Sequence, residues 1–210
     1  MRTLARLHEV GNERVPFLDR PDLGRSGLEQ ELAYWRRYLD WAEAGRPHEV
    51  LERGWEWLQS ELPADPPTSL SWGDSRIANM IFRDFRVVSV LDWDGVSLAG
   101  PEADVAWWII MDHSAAAALP GIGTPDEFVD LWQELTGRKV LDLHYYLVFT
   151  AFRLGAIMLR LFQLMAADGL LSADLAAEQG ANSGSVQQLA LLLGLTPPGP
   201  ITATLPDLRR

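Results

Sequence analysis

An α+β fold, mostly helical and carrying one small β-hairpin, is what this sequence predicts. Three observations point there. Apolar residues recur at helical spacing through one segment after another. A single stretch departs from that rhythm, with two short apolar runs, Met80 to Phe82 and Val87 to Leu91, joined by a polar turn at Arg83-Asp84. Hydrophobic residues make up 48% of the 210, nine tryptophans among them, which is ample for the core of one domain.

Residues 3–10 place Leu4, Leu7 and His8 at i, i+3, i+4 spacing and predict a first helix, with His8 at the edge of the core. Residues 11–24, rich in Gly, Pro and Asp, read as a loop. A long helix follows from about Leu28 to Ala44, striped by Leu28, Leu32, Trp35, Leu39 and Ala42, and Gly45 and Pro47 end it. Tyr34, Trp35, Tyr38 and Trp41 on that helix are core aromatics, with an acceptor pocket as their alternative use. Another helix covers about His48 to Glu61.

Pro63, Pro66 and Pro67 then lead into a short strand, Leu70 to Trp72. After the hairpin, Pro101 suits the first turn of a helix carrying Ala103, Trp107, Trp108, Ile110 and Met111. Thr124 and Glu127 form a capping box that opens a helix to about Leu135, stopped by Gly137. Asp142 caps a long helix ending at Gly169. Ser172 caps the next, which breaks around Gly180 to Gly184 and resumes to Leu195. Residues 1–196 are expected to form one lobe, and 197–210 a Pro-rich tail.

A net charge of −11 argues against nucleic acid and anionic membranes as partners. There is no cysteine, hence neither a disulfide framework nor thiol chemistry. The N-terminus has no signal-peptide pattern. The apolar tract Leu143 to Ala167 is interrupted by Arg153 and Arg160, so a buried helix is expected rather than a membrane span. These features predict a cytoplasmic protein.

The chemistry concentrates between Ser71 and Asp94. In a hairpin the start of one strand lies beside the end of the next. Asn79 and Asp92 should therefore converge, with Asp74 arching over them. Two carboxylates and a carboxamide, with no lysine among them, make a hard-oxygen site suited to Mg²⁺.

The wording around these residues is Trp72-Gly73-Asp74, four residues, Asn79, then Leu91-Asp92-Trp93 and Gly100-Pro101-Glu102-Ala103-Asp104-Val105-Ala106-Trp107. It resembles the aminoglycoside phosphotransferase family of kinase-like phosphotransferases, and Leu4-Ala5-x-Leu7-His8 is similar to that family's opening helix of the C-terminal lobe. The resemblance covers residues 1 to about 195 and implies the protein-kinase-like C-terminal lobe, with transfer of a phosphoryl group from ATP to a hydroxyl of a small molecule. It implies Asp74 as catalytic base, Asn79 and Asp92 as ligands of Mg²⁺ and so of the nucleotide, and Asp94 as an accessory metal ligand. Asp104 would hold the Asp74 loop by its backbone. Trp72 stands where the family has histidine. A large aromatic is expected to brace the loop there without reproducing a histidine hydrogen bond. Arg76 would contact phosphate or, more simply, pair with a neighbouring acid.

Kinase-like enzymes hold the α- and β-phosphates with an upstream lysine under a Gly-rich loop. Lys139 is the only lysine here, and no such loop precedes Asp74. The resemblance therefore implies the C-terminal lobe without its ATP-covering N-terminal lobe. Little turnover by this chain alone is expected, along with apolar surface near the hairpin that favours self-association or a second chain. A non-catalytic kinase-like binding module is the alternative. A metal-dependent hydrolase using Asp74, Asp92 and Asp94 ranks third. The acceptor itself is not written in the sequence.

Overall fold

The computed structural model describes residues 1–116, 123–203 and 205–206. Part of the predicted tail, Thr204 and residues 207–210, lies outside them. Eight α-helices are described, α1 (Arg2–Leu7), α2 (Gly27–Glu43), α3 (Glu49–Ser60), α4 (Pro101–Ala116), α5 (Pro125–Thr136), α6 (Leu143–Ala167), α7 (Ala173–Ala181) and α8 (Gly184–Leu192), with short 3-10 turns at Asn12–Arg14, Pro16–Leu18 and Ile77–Asn79. One antiparallel pair, β1 (Met80–Arg83) and β2 (Arg86–Val90), is the only sheet among the described residues. The fold is mostly helical with a small hairpin, as expected. The described residues divide into two compact units, one of 1–32, 63–116, 123–146 and 206, the other of 33–62, 147–203 and 205.

The helix ends follow the residues that favour them. Thr124 and Glu127 exchange both bonds of a capping box, and Gly137 closes α5 in the left-handed conformation. Ser172 and Ser183 cap α7 and α8, accepting from Leu175 N–H and Val186 N–H. His48 lies just outside α3 and caps it through its ring. Asp142 precedes α6 with φ 48°. The expected strand Leu70 to Trp72 is instead two isolated bridges, Ser69 to Ala99 and Ser71 to Ser97.

In the first unit α4 forms the centre. Ala103, Val105, Ala106, Trp107, Trp108, Ile109 and Ile110 are all buried, as are the carboxylates Glu102 and Asp104 of its first turn, so the helix is covered around its circumference, as a central helix must be. The hairpin is the opposite. Its turn is Asp84-Phe85, one residue beyond the expected one, with φ 49° and 58°, which is the backbone that tight antiparallel hairpins require. Phe85 is fully exposed, and Ile81, Phe82 and Val88 are about half exposed.

In the second unit α3 packs on α8, with Gly54 so close to Leu189 that an added Cβ would sit 2.8 Å from its Cδ2. Phe152 of α6 lies 6.2 Å from Trp55 of α3 between ring centroids. By length and composition α6 could cross a membrane, yet Phe149, Phe152 and Ala156 are fully buried within this unit. Tyr34, Trp35, Tyr38 and Trp41 stack in a row along α2 at 5.1 to 5.4 Å. Arg153 lies over Trp35 and Arg160 over Trp41.

Three carboxylates surround Arg36 on α2. Asp40 and Glu52 hold the guanidinium at 2.5 to 2.8 Å, whereas Glu43 is left at 3.6 Å. Burial pushes the Glu43 carboxyl up to about 7; the His48 N–H opposes this and Glu52 adds to it. A carboxyl raised in the folded state favours folding fully below its unfolded value of 4.5, and that contribution is lost as pH rises through about 7. Glu52 is shifted downwards, so its own window lies below that range. The thermal midpoint of the native chain minus that of Glu43→Gln is therefore expected to fall between those two pH values. A difference that stays flat would show that Glu43 ionises without cost.

Candidate functional site

The loop after Ser71 is built on α4. Ser71 and Ser97 exchange backbone hydrogen bonds of 2.9 and 3.0 Å, bringing the chain to the first turn of α4. There Asp104, fully buried, accepts from Trp72 N–H through Oδ2 (2.6 Å) and from Gly73 N–H through Oδ1 (2.8 Å). Ser75 Oγ donates to the Asp104 carbonyl at 2.7 Å. Gly73 has φ 91°, and a Cβ there would lie 1.9 Å from the Gly95 oxygen, so no other residue fits. Asp104 thus accepts two backbone N–H bonds from the loop.

Asp74 emerges from this clamped loop with both oxygens engaged. Oδ1 accepts from the Trp107 indole at 2.7 Å, and Oδ2 accepts from Asn79 Nδ2 at 2.6 Å and Arg76 Nε at 3.1 Å. Asn79 Nδ2 also donates to the Asp74 carbonyl at 3.1 Å. With its nitrogen committed to Asp74, the Asn79 amide has Oδ1 left to meet a ligand. Arg76 takes the ion-pair role.

The hairpin brings Asp92 to the same end. Met80 pairs with Val90, and Leu91 N–H donates to the Asn79 carbonyl at 2.9 Å, so Asp92 is the next residue out. It is exposed and has φ 57°, a left-handed conformation that aspartate adopts at a cost of about 1 kcal/mol. Trp72 secures it. Its buried indole N–H donates to the carbonyls of Leu91 and Asp92, each at 2.9 Å, while its ring packs on Trp93. The tryptophan here braces the hairpin end with its ring and adds an indole N–H that reaches both carbonyls. Asp94 is exposed on the following turn.

Asp74 and Asn79 therefore touch, Asp92 lies at their end of the hairpin, and Trp72 and Asp104 support the loop from beneath. Trp107 was foreseen only as an apolar helix residue. A signal existed, because it lies three residues after Asp104 and so shares its helix face. Among the described residues no three His, Cys, Asp or Glu side chains gather as a metal cluster. Asn79 and Asp92 supply an amide oxygen and a carboxylate. That donor set fits Mg²⁺, which takes one or two protein oxygens and fills its sphere with phosphate and water.

The model of the phosphotransferase enzyme family (APH) matches residues 1–136. Acyl-CoA dehydrogenase family member 10 of Mus musculus is 27% identical over 207 residues, covering 90% of this chain and 19% of that protein. Family member 11 of Pongo abelii is 24% identical over 173 residues, covering 75% of this chain and 22% of that protein. The chain thus spans about a fifth of these curated relatives. A solved chain from Ralstonia eutropha JMP134, itself a proposed aminoglycoside phosphotransferase, superposes with TM-score 0.71 at 25% identity, covering 93% of this chain and 64% of that one.

Proposed function

Since this chain belongs to the phosphotransferase enzyme family, we propose that it carries ATP- and Mg²⁺-dependent phosphoryl transfer to a hydroxyl of a small molecule. The observation behind this reading is the 2.6 Å bond between Asp74 and Asn79 on a loop pinned by Asp104, with Asp92 at the same end. Asp74 acts as the general base. It takes the proton of the acceptor hydroxyl and aligns that oxygen for in-line attack on the γ-phosphorus, while the bond to the departing ADP oxygen breaks. Trp107, donating to Oδ1, fixes the direction from which Asp74 receives the proton. Asn79 and Asp92 would hold Mg²⁺, with Asp94 as accessory ligand. The ion, when bound, offsets negative charge on the phosphates.

Thermal stabilisation of the 210-residue chain by Mg·ATP, with Asp92→Asn as control, tests this assignment. A ligand that binds only the folded state stabilises it by about 2.7 kcal/mol at a hundredfold excess over Kd. A saturable rise in Tm that the variant lacks is expected. No rise at millimolar nucleotide would remove the nucleotide site.

The hairpin exposes Ile81, Phe82, Phe85 and Val88, apolar surface through which we propose that the chain self-associates. Light scattering should show a dimer that grows with concentration and is lost in Phe85→Asp. A monomer at every concentration would sink the idea.

A further inference from the structure

The second unit holds a cavity of about 530 Å³, bounded by the end of α2, the turn before α3, the second half of α6 and the length of α7. Asp74, Asn79, Asp92 and Asp104 all belong to the first unit and none of them lines it. Its size falls in the range of sites for organic ligands, about 300–1,000 Å³. One face of α7 lines it with alanine methyls at Ala173, Ala176, Ala177 and Ala181, and Leu159 of α6 lies across from them. α7 closes on α6 at Gly180, where an added Cβ would sit 3.2 Å from Leu159 Cδ1. Alanine walls have no rotamers to lose when a ligand settles against them, so this face suits a rigid apolar body.

The polar side is of one sign. Glu43 lines the cavity with a side chain only 5% exposed. Its Oε1 accepts from His48 N–H at 2.8 Å, and its Oε2 stands 3.6 Å from Arg36, whose guanidinium is held by Asp40 and Glu52. His48 adds no positive charge. Its Nε2 lies 3.1 Å from the Ala181 carbonyl, which can only accept, so Nε2 carries the ring proton while Nδ1 accepts from Leu51 N–H. Gln163 has its nitrogen on the Ala42 carbonyl and its oxygen on Arg160. Arg46 is exposed and keeps its charge in water, where salt screens it. A buried carboxyl without a cation in hydrogen-bond contact is what remains. Burial holds that carboxyl up at about 7, and an ammonium group in contact would favour the ionised form and bring it down.

We propose that this cavity binds an amphipathic amine, its single ammonium group against Glu43 and its rigid apolar body along the alanine face of α7. The ammonium supplies the partner that Arg36, committed to Asp40 and Glu52, does not. The body displaces water from a wall that offers it no hydrogen bond.

Naphthylethylamine, naphthylacetate and naphthylacetamide share one apolar body and differ in charge, and none carries a hydroxyl that could accept phosphate. Each is titrated into the full chain by calorimetry, with ¹³C shifts read at the alanine methyls and the Glu43 carboxyl. The amine is expected to bind saturably, to shift the methyls of Ala173, Ala177 and Ala181, and to bind roughly tenfold more tightly than the amide above the Glu43 midpoint. Its affinity should rise by about the same factor as Glu43 ionises, and the Glu43 midpoint should fall to match, because the two are one coupling. Glu43→Gln keeps an acceptor for His48 N–H and should lose both the preference for the amine and its pH dependence. His48→Asn keeps an N-cap side chain and should leave that pH dependence in place. Ala177→Leu, at an exposed helix position, fills the cavity and should abolish binding with Tm retained. Naphthylacetate binding as tightly as the amine would overturn the proposal and make Arg46 the determinant. Equal affinity for all three compounds would reduce the cavity to an apolar hollow. No binding of the amine, or binding that survives Ala177→Leu, would sink the idea outright.

Discussion

Asp74→Asn is expected to lower phosphoryl transfer by about 10²- to 10⁴-fold, the contribution of a positioned general base, while the stabilisation by Mg·ATP survives. The carboxamide cannot take the hydroxyl proton. It also misfits its surroundings. Both oxygens of Asp74 now accept, one from Trp107 and the other from Asn79 and Arg76, so an amide must turn its NH₂ against a donor on one side. That mismatch costs about 1–3 kcal/mol, and urea denaturation measures it separately from the rate. The decisive pattern is a large loss of kcat with nucleotide binding kept. If transfer persists within a few-fold of native, Asp74 is not the base and the acceptor proton leaves by another route. If binding and transfer vanish together while the chain remains folded, the role of Asp74 is to assemble the nucleotide site.

The geometry behind this prediction was legible where sequence periodicity and spacing specify it. Hairpin pairing foretold that Asn79 and Asp92 meet at one end, and the bond from Leu91 to Asn79 places them there. The helix caps at Thr124, Ser172 and Ser183 were readable because each is a local exchange of a side-chain oxygen for a backbone N–H. What stayed hidden was non-local polarity. Trp72 and Trp107 read as apolar bulk in any periodicity scan, yet each uses its one donor at the site, on two carbonyls and on Asp74. His8 read as a core-edge histidine, and it is buried as such a residue would be. Its bonds to Asp104 and Trp132 span 96 and 124 positions, beyond any local pattern. The hairpin turn slipped by one residue because Phe85 adopts φ 58°, which its chemistry does not advertise. The aromatic row on α2 was visible as a stripe, but spacing alone does not distinguish an acceptor wall from core.

Asp104→Ala should be the most destabilising single change in the loop's support, at roughly 2–5 kcal/mol for several buried groups left without their shared acceptor. Removing the carboxylate strands Trp72 N–H, Gly73 N–H and His8 Nε2–H at once, all in a fully buried setting. Each orphaned donor costs about 1–3 kcal/mol, and the three share one acceptor, so their costs combine less than additively. Since a domain's whole stability is about 5–15 kcal/mol, the variant should unfold at markedly lower urea with its slope retained. The loop should also loosen before the chain unfolds. Gly73, held at φ 91° beside Gly95, would lose the acceptor that fixes its N–H. Asp104→Asn separates charge from shape, because its one oxygen can satisfy Trp72 or Gly73 but faces the other with an NH₂. It should lie between the native chain and Asp104→Ala in stability, and nearer to Ala in transfer rate. A loss below 1 kcal/mol in Asp104→Ala would mean that water replaces the carboxylate. The Asp74 loop would then owe its position to the Ser71–Ser97 bridge and to Trp72 rather than to α4.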